Sequence, residues 1–322
     1  CEMSSMRVII AARRGDSKLC QHIISGIIIE RIDRLFSLKD EPPSEHAMNK
    51  QQKNGHSRGI EWTDWTWNPT AGCMHGCTWQ MPDGSIAECY AKKIAEGLAR
   101  AAYPQGFEHH YWRGHVLHNP LHEKKPAKIF VGSMADLFGH WVPKEQIQQV
   151  LDVMRKANWH TFQTLSKYPI RLPQFNPFPP NVWVGVSLPA GQLMPAKGAA
   201  RALNAYLSQM EKIQASVRFM SIEPLWFDAA EVFEQWTQTH GSLPFEWVIV
   251  GAASNGPKTY QPNPVWVQRL LDVLDQQAIP VFFKGNLEWT PWREEFPILR
   301  IHIEKYSVPA AKTVIFAAEH FS

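Results

Sequence analysis

The sequence predicts an α/β protein, a partial TIM-like (βα) barrel of about six or seven parallel strands. The first observation is a set of six short runs that are rich in β-branched and apolar residues. These runs are apolar on both faces, which is typical of parallel strands that are covered by helices. They occupy residues 128–133, 160–165, 182–187, 217–222, 247–251 and 280–284.

The second observation is the helical pattern between these runs. In residues 144–157, 199–214 and 264–277, apolar side chains recur at three- and four-residue spacing, as on amphipathic helices. Right-handed crossovers between parallel strands leave two architectures, a barrel or a doubly wound open sheet, and we prefer the barrel. Residues 168–181 contain five prolines, so we expect an abbreviated crossover there.

The first 58 residues differ from the rest, and we predict that they are a poorly structured extension of a domain at 59–322. The extension ends in a polar run at 48–58 that is typical of a flexible lead-in. We hypothesise that the functional protein starts at or near Met48 and that the preceding residues are an appendage or an over-extended reading frame. A weakly amphipathic helix at 21–36 is the alternative interpretation.

Composition gives only broad limits on function. The 33 Lys and Arg residues and 30 Asp and Glu residues give a net charge of +3, too small to favour nucleic acid or a membrane surface over other partners. The longest apolar run near the N-terminus, residues 27–29, is far too short to span a bilayer. The odd count of five cysteines does not resemble a secreted disulfide framework, so we expect a cytoplasmic protein.

Polar side chains follow the predicted strands, at the ends where parallel α/β proteins carry their functional groups. Asp136 and Glu223 are candidate catalytic residues, because a carboxylate at this edge can bind an amine or hydroxyl or move a proton. Polar residues also end strands and cap helices, and this simpler explanation stays open for each serine. The other candidates are Ser133, Lys167, Ser187, Ser221 and Lys284.

Three of the five cysteines, Cys73, Cys77 and Cys89, lie in one short segment. The segment follows a strand-like pattern at 60–69 and precedes helix-forming residues at 90–102. We therefore expect Cys89 at a helix N-terminus, where the helix dipole stabilises a thiolate. Three thiolates can ligate three irons of a [4Fe-4S] cluster and leave the fourth iron open to a small ligand.

Other interpretations of the three cysteines stay open. Zinc could be held by the three thiolates with His75 or a water. A disulfide with one leftover thiol, or buried inert cysteines, are further alternatives. Three residues separate Cys73 from Cys77, as in the radical S-adenosylmethionine signature CxxxCxxC, but eleven separate Cys77 from Cys89. A turn signal at 82–84 predicts that this insertion is an excursion that returns Cys89 to the other two cysteines.

Eight blocks between residues 60 and 289 carry a family resemblance. They read IEWTDWTWNPTAGC, AECYAKKIAE, KIFVGSMADLFGHWVP, ANWHTFQTLSKYP, VWVGVSL, VRFMSIEPL, WVIVGAASNGP and VFFKGNLEW. In this order they resemble the phage-type three-cysteine-motif proteins, a radical S-adenosylmethionine-like family whose biochemical role is unassigned. The insertion at 78–88 departs from the commoner radical pattern, as does Glu88, which stands where that pattern usually has an aromatic residue.

The resemblance implies a partial βα barrel in which Cys73, Cys77 and Cys89 ligate a [4Fe-4S] cluster near the end of the first strand. S-adenosyl-L-methionine (SAM) would chelate the open iron. An electron from an external donor would then cleave the sulfonium and generate a 5′-deoxyadenosyl radical, which abstracts hydrogen from an unknown substrate.

The same resemblance implies roles for the residues at the strand ends. Ser133 and Asp136 would approach the methionine moiety of SAM, and Ser187 and Glu223 would approach the ribose or the substrate. Lys167 or Lys284 would approach a carboxylate or phosphate. The implied catalytic residues are Glu223, Asp136 and Lys284, and the implied cofactor-binding residues are Ser133, Ser187, Ser221 and Lys167.

The sequence thus supports two functional hypotheses. The first is a radical SAM-type enzyme, for which a nucleic-acid-related substrate is one candidate. The alternative is a non-enzymatic binding module in which the three cysteines hold a stabilising zinc. The His-rich segment at 109–122 is interpreted as a second metal site, a substrate-facing loop or a solvated loop that aromatic residues hold in place.

Overall fold

The computed structural model describes residues 48–51, 59–188, 196–256 and 258–298. The strands are β1 (Met48–Lys50), β2 (Trp65–Trp67), β3 (Thr70–Ala71), β4 (Thr78–Gln80), β5 (Ile86–Glu88), β6 (Tyr111–Trp112), β7 (Lys128–Val131), β8 (Thr161–Ser166), β9 (Val182–Ser187), β10 (Val217–Ile222), β11 (Trp247–Val250), β12 (Ala253–Asn255), β13 (Lys258–Tyr260) and β14 (Val281–Phe283). The α-helices are α1 (Tyr90–Glu96), α2 (Lys144–Lys156), α3 (Ala196–Met210), α4 (Ala230–His240) and α5 (Pro264–Gln276).

An eight-stranded sheet has the order β1-β2-β7-β8-β9-β10-β11-β14. Its first pair is antiparallel, and every later pair is parallel. The seven parallel strands therefore follow one another in chain order, and right-handed crossovers place all their connections on one face of the sheet. A doubly wound sheet needs a reversal of strand order, which the described strands do not have.

The sheet is buried on both faces, as its continuously apolar strands predict. One face packs against the helices in the main hydrophobic cluster, which includes Met220 of β10. The other face carries a separate, largely aromatic cluster, which includes Phe219 of the same strand together with Trp62 and Trp247. Neighbouring residues of β10 enter different clusters because successive strand side chains point to opposite faces. Gly185 of β9 makes room for Phe219, since a Cβ there would lie 2.3 Å from the ring.

The six predicted strands correspond to β7, β8, β9, β10, β11 and β14. The three predicted crossover helices correspond to α2, α3 and α5. The proline-rich connection is indeed short, a 3₁₀ helix at Pro169–Phe175. The helix expected over 90–102 ends at Glu96, because Gly97 follows it and its N–H closes on the Lys93 carbonyl. Helix α4 was not predicted, because its β-branched and aromatic residues have modest helix propensity.

The predicted boundary at residue 58 stays a prediction, and the structure adds one strand on its N-terminal side. Met48–Lys50 forms the edge strand β1, and Met48 lies opposite Trp67 of β2. The helix expected at 21–36, and the rest of the predicted extension except 48–51, lie outside the described residues. The edge strands β1 and β14 are not hydrogen-bonded to each other in the described part of the chain, so a closed barrel is not observed. None of the described helices has the length and hydrophobicity needed to cross a bilayer.

Candidate functional site

Seven of the ten predicted site residues lie at or just after the carboxyl ends of parallel strands, and the three cysteines lie in the long connection between the parallel strands β2 and β7. The fold therefore brings them to one edge of the sheet, the edge at which parallel α/β proteins bind ligands. The cysteines follow β2, Ser133 and Asp136 follow β7, Lys167 follows β8, Ser187 ends β9, Ser221 lies in β10, Glu223 follows β10, and Lys284 follows β14.

The insertion between Cys77 and Cys89 folds as a β-hairpin. Strands β4 and β5 pair antiparallel, with Thr78 opposite Glu88, so the two cysteines flank the base of the hairpin. The Cys89 N–H donates to the Cys77 carbonyl at 3.0 Å. The eleven residues between Cys77 and Cys89 thus form a separate hairpin, and the backbones of Cys77 and Cys89 lie side by side. Cys89 is also the N-cap of α1, as expected from the sequence.

Cys73 is held by the loop around it. Its N–H donates to the Phe107 carbonyl at 2.9 Å, and the Gly72 N–H donates to the Met134 carbonyl at 3.0 Å. Gly72 has a φ of +82°, and a Cβ there would lie 1.7 Å from the His109 carbonyl oxygen. Only glycine fits this close approach. The cysteine loop is therefore packed between the loop after β7 and the start of the His-rich segment.

The His-rich segment is held together by aromatic contacts and pairs with the strand that precedes the cysteines. The rings of Tyr103 and Tyr111 pack edge to face at 5.4 Å, and His109 packs on Tyr111 at 5.0 Å. Tyr111–Trp112 pairs with β3 next to the cysteines. Among the described residues, no group of three or more His, Cys, Asp or Glu side chains is arranged to hold a metal ion, in this segment or elsewhere.

The three thiols are free and half-buried. Burial raises the pKa of Cys73 to about 12; the nearby Asp136 and Cys77 groups also raise it, whereas a hydrogen bond from the His75 backbone and the charge of Lys167 lower it. Burial likewise raises the pKa of Cys77, with Lys167 opposing the shift and Cys89 adding to it. Thiols in such surroundings become thiolates when they bind a metal, because the positive ion offsets the lost hydration.

Asp136 ties the cysteine loop to the ends of two strands. It is buried, and its Oδ2 accepts hydrogen bonds from the Ser166 hydroxyl at 3.1 Å and the Lys167 N–H at 2.8 Å. The same oxygen lies 2.7 Å from His75 Nε2, and Oδ1 accepts from the Phe138 N–H at 3.0 Å. These four contacts with protein groups make Asp136 a positioning residue for the cysteine loop. No spacing in the sequence signals the contact with His75, which lies 61 positions away.

Tyr206 is a site residue that the sequence did not indicate. It lies on α3, and its hydroxyl donates to the Lys167 carbonyl at 2.8 Å. Burial, followed by the charges of Asp136 and Cys77, raises the pKa of Tyr206 to about 12. Tyr206 and Lys167 therefore both lie within electrostatic range of Cys77. A tyrosine within an amphipathic helix is normally interpreted as a packing residue, so only the tertiary contact with Lys167 identifies Tyr206 as part of the site.

Glu223 and Lys284 form an ion pair across the ends of β10 and β14. Both side chains are roughly 30% exposed, so a ligand can reach them. Gly251, at the end of the strand between them, allows this approach, because a Cβ there would lie 3.0 Å from Glu223 Cγ and 3.3 Å from Lys284 Cδ. The Asn286 side chain joins the loop after β14 to the loop after β11, because it accepts a hydrogen bond from the Ala252 N–H and donates one to the Ala252 carbonyl.

Tyr90 connects the cysteines with Glu223. Its hydroxyl donates to the Ser133 carbonyl at 2.6 Å. The Tyr90 side chain is largely exposed, but desolvation at its hydroxyl, followed by the charges of Cys89 and Glu223, raises the pKa of Tyr90. Both groups are therefore close enough to affect the same hydroxyl.

The predicted serines have different surroundings. The Ser133 hydroxyl exchanges hydrogen bonds with the Asn68 side chain at 3.1 and 3.2 Å, which joins the ends of β2 and β7. Ser187 and Ser221 are buried and lie opposite each other in the register of β9 and β10. The predicted site is thus a row of groups along one sheet edge, with the cysteines near β2 and the Glu223–Lys284 pair at the other side.

The donor chemistry of the three cysteines fits a [4Fe-4S] cluster. Such a cluster accepts one thiolate on each of three irons, whereas a zinc ion draws all of its ligands to one point. Cys73, Cys77 and Cys89 could supply the three thiolates, and the hairpin base places the backbones of Cys77 and Cys89 side by side, although the three described thiols are not gathered as a preformed metal site. His75, the proposed fourth zinc ligand, has its Nε2 against Asp136.

Three solved structures resemble the fold, all of spore photoproduct lyase. A double mutant with bound AdoMet and dinucleoside spore photoproduct has a TM-score of 0.41 at 7% identity. A complex with dinucleoside spore photoproduct has a TM-score of 0.30 at 8% identity, and a single mutant has 0.33 at 9%. Each match covers 67% of this chain and 62% of the lyase chain. Likeness at this level carries no inference about activity.

No curated protein matches the chain. A family model does match it, over residues 57–311, which include the three cysteines and all the other site residues described above. That stretch is most of the 322 residues. The chain therefore belongs to the DUF5131 family, whose description is a protein of unknown function.

Proposed function

We propose that this protein is a radical SAM-type iron–sulfur enzyme built on a partial βα barrel. The observation that carries the proposal is the hairpin at 78–88, which returns Cys89 to Cys77 at the carboxyl edge of a parallel sheet. Three cysteines at that edge, the third at the start of a helix, supply the thiolates that a cluster with one open iron requires.

Cys73, Cys77 and Cys89 would hold the [4Fe-4S] cluster in this proposal. When bound and reduced by an external donor, the cluster would supply the one electron that cleaves the sulfonium of SAM into methionine and a 5′-deoxyadenosyl radical. An external electron donor is required, and a reducing cytoplasmic setting suits the three free thiols. The resemblance to the phage-type three-cysteine-motif proteins stays a prediction, as does a nucleic-acid-related substrate.

The chain's own residues would bind and orient the reactants. Asp136 fixes the cysteine loop through His75, so its catalytic importance would be indirect. Lys167 lies within electrostatic range of Cys73 and Cys77 and could meet the carboxylate of SAM.

The remaining strand-end residues complete the proposed site. Ser133, Ser187 and Ser221 would contribute cofactor-binding surface at the strand ends. Glu223 and Lys284 present a carboxylate and an ammonium that can exchange a proton or bind a polar group of the substrate or ribose.

The test is to purify the full-length protein without oxygen and to measure its iron, sulfide and visible absorption. We expect a brown protein with absorbance at about 400 nm and about four irons and four sulfides per chain. Added reductant and SAM should release 5′-deoxyadenosine. Cys73→Ala, Cys77→Ala and Cys89→Ala should each abolish both signals, whereas Cys1→Ala and Cys20→Ala serve as controls that leave them intact.

A colourless protein with one tightly held zinc would overturn the proposal. It would instead support the alternative, a zinc-stabilised binding module with no redox chemistry. A bound cluster without 5′-deoxyadenosine release would also contradict the radical activity, although it would leave the ligand assignment in place.

A further inference from the structure

A cavity of about 620 Å³ lies beside the proposed active site. One wall is the insertion hairpin, with Trp79 and Met81. The opposite wall begins at Pro224, directly after Glu223, and includes Trp226. The third side comes from residues after β12, among them Tyr260. The volume is within the range of about 300–1,000 Å³ that is usual for small-molecule sites.

The lining of this cavity is aromatic and uncharged. Three tryptophans, Trp79, Trp226 and Trp266, contribute to it together with Tyr260. None of the described lining residues is Asp, Glu, Lys or Arg. A phosphate or carboxylate would find no charge partner on these walls, whereas a flat uncharged ring can stack on indole and phenol faces.

Most polar groups of the walls already have protein partners. The Gln261 amide bonds to the backbone of Asn286 and Glu288, and the Trp79 indole N–H contacts Met81 Sδ. The Trp226 indole N–H is different, because it is buried and has no hydrogen-bond partner among the described residues. A buried donor of this kind is costly to leave unpaired. Because this N–H is shielded from solvent, it is not a contact point for a ligand in the open cavity, and the lining offers a ligand mainly ring faces.

The tip of the insertion hairpin is held beside this cavity by hydrogen bonds to β13. Asp83 accepts hydrogen bonds from Lys258 Nζ at 2.9 Å and from the Tyr260 hydroxyl. Hydrogen bonds from Ser85, Tyr260 and Lys258 keep the pKa of Asp83 below its ordinary value. The charges of Asp83 and Lys258 thus satisfy each other. The fastening joins the insertion between two cluster cysteines to the β12–β13 hairpin.

We propose that this cavity binds a nucleobase and that the insertion hairpin is the substrate-binding element of the enzyme. A purine or pyrimidine is planar and uncharged, and these are the properties that an aromatic, uncharged lining selects. Trp79 is two residues from Cys77, about 7 Å along the strand, so the base would lie near the cysteines. The substrate role rests on the proposed function, whereas the binding itself does not.

Equilibrium dialysis of the full-length protein against labelled adenosine and uridine tests the binding without any radical chemistry. We expect a dissociation constant below about 1 mM for at least one nucleoside and no binding of ribose. Adenosine monophosphate should bind no more tightly than adenosine, because the walls carry no cation. Trp79→Leu should weaken binding about 10-fold or more, and Trp79→Phe, which keeps a ring, should weaken it less.

Trp159→Leu is the matched control, because Trp159 is also half-buried but precedes β8, at the opposite edge of the sheet. It should leave binding unchanged. Cys73→Ala should also retain binding, so a failure of the cluster proposal leaves this result standing. The inference is overturned if neither nucleoside binds, if Trp79→Leu binds like the wild type, or if SAM displaces the nucleoside, since the cavity would then be the adenine site of the cofactor.

Discussion

Asp136→Asn should destabilise the protein by about 2–4 kcal/mol, although it preserves the size of the side chain. The buried carboxylate joins the loop after β7, the end of β8 and the cysteine loop in one hydrogen-bond network. An amide replaces one of the two acceptor oxygens with a donor, so the network cannot be conserved.

The magnitude follows from the four contacts of Asp136. An amide oxygen can still face His75, Ser166 and Lys167, but each bond weakens by about 1 kcal/mol when the acceptor loses its charge. The amide nitrogen then faces the Phe138 N–H, so that bond is lost and two donors are left opposed, at a cost of about 1–3 kcal/mol. A neutral amide is easier to bury than a carboxylate, which offsets part of the sum.

The assay is urea unfolding of the full-length variant and wild type at pH 7, followed by circular dichroism. Asp152→Asn is the control, because Asp152 is exposed on α2 and bonds only to side chains of its own helix. That control should change the free energy of unfolding by about 0.5 kcal/mol or less. If Asp136→Asn were as stable as the control, the network would not hold the cysteine loop.

Three further predictions address the loop, the thiols and the ion pair. Gly72→Ala should cost about 3 kcal/mol or more in unfolding free energy, because its Cβ would overlap a backbone carbonyl, whereas Gly76→Ala, with open space around it, should cost about 1–2 kcal/mol. The metal-free protein should keep its free energy of unfolding below about pH 9 and lose up to about 1.4 kcal/mol per pH unit between about pH 9 and pH 12, because the Cys73 thiol ionises in the unfolded chain before it ionises in the folded one. Unfolding measured against pH should show a smaller loss in Cys73→Ser. Glu223→Gln should change stability by about 1 kcal/mol or less, since its pair with Lys284 is partly exposed, yet abolish substrate-dependent consumption of SAM; unaltered turnover would exclude a role for this carboxylate.

Much of the sheet could be predicted from local patterns. The runs at 182–187 and 217–222 coincide with β9 and β10, because strands covered on both faces consist almost wholly of apolar residues. The proline-rich crossover could also be predicted, since proline lacks the N–H that a regular helix needs. Helix α4 could not, because its burial depends on packing against α3 and α5, which no local pattern reports.

The candidate site was predictable in its members but not in their pairing. A polar residue after an apolar strand indicates the functional edge of the sheet, and this rule found Glu223 and Lys284 separately. Their ion pair joins positions 61 residues apart. No periodicity connects residues so distant, so only the adjacency of strand ends reveals the contact. The same reason explains why Tyr206 was missed.

The amino-acid sequence alone was sufficient to determine the parallel α/β class, the strands and the segment that carries the three cysteines, because all of these depend on local hydrophobicity and turn chemistry. The tertiary structure decided how those cysteines relate to one another and to the rest of the edge. Long-range packing folds the insertion into a hairpin, places Asp136 against His75 and encloses an aromatic cavity between the hairpin and β12–β13. These relations depend on how segments that are distant in the sequence pack against one another, and local sequence patterns contain no information about that packing.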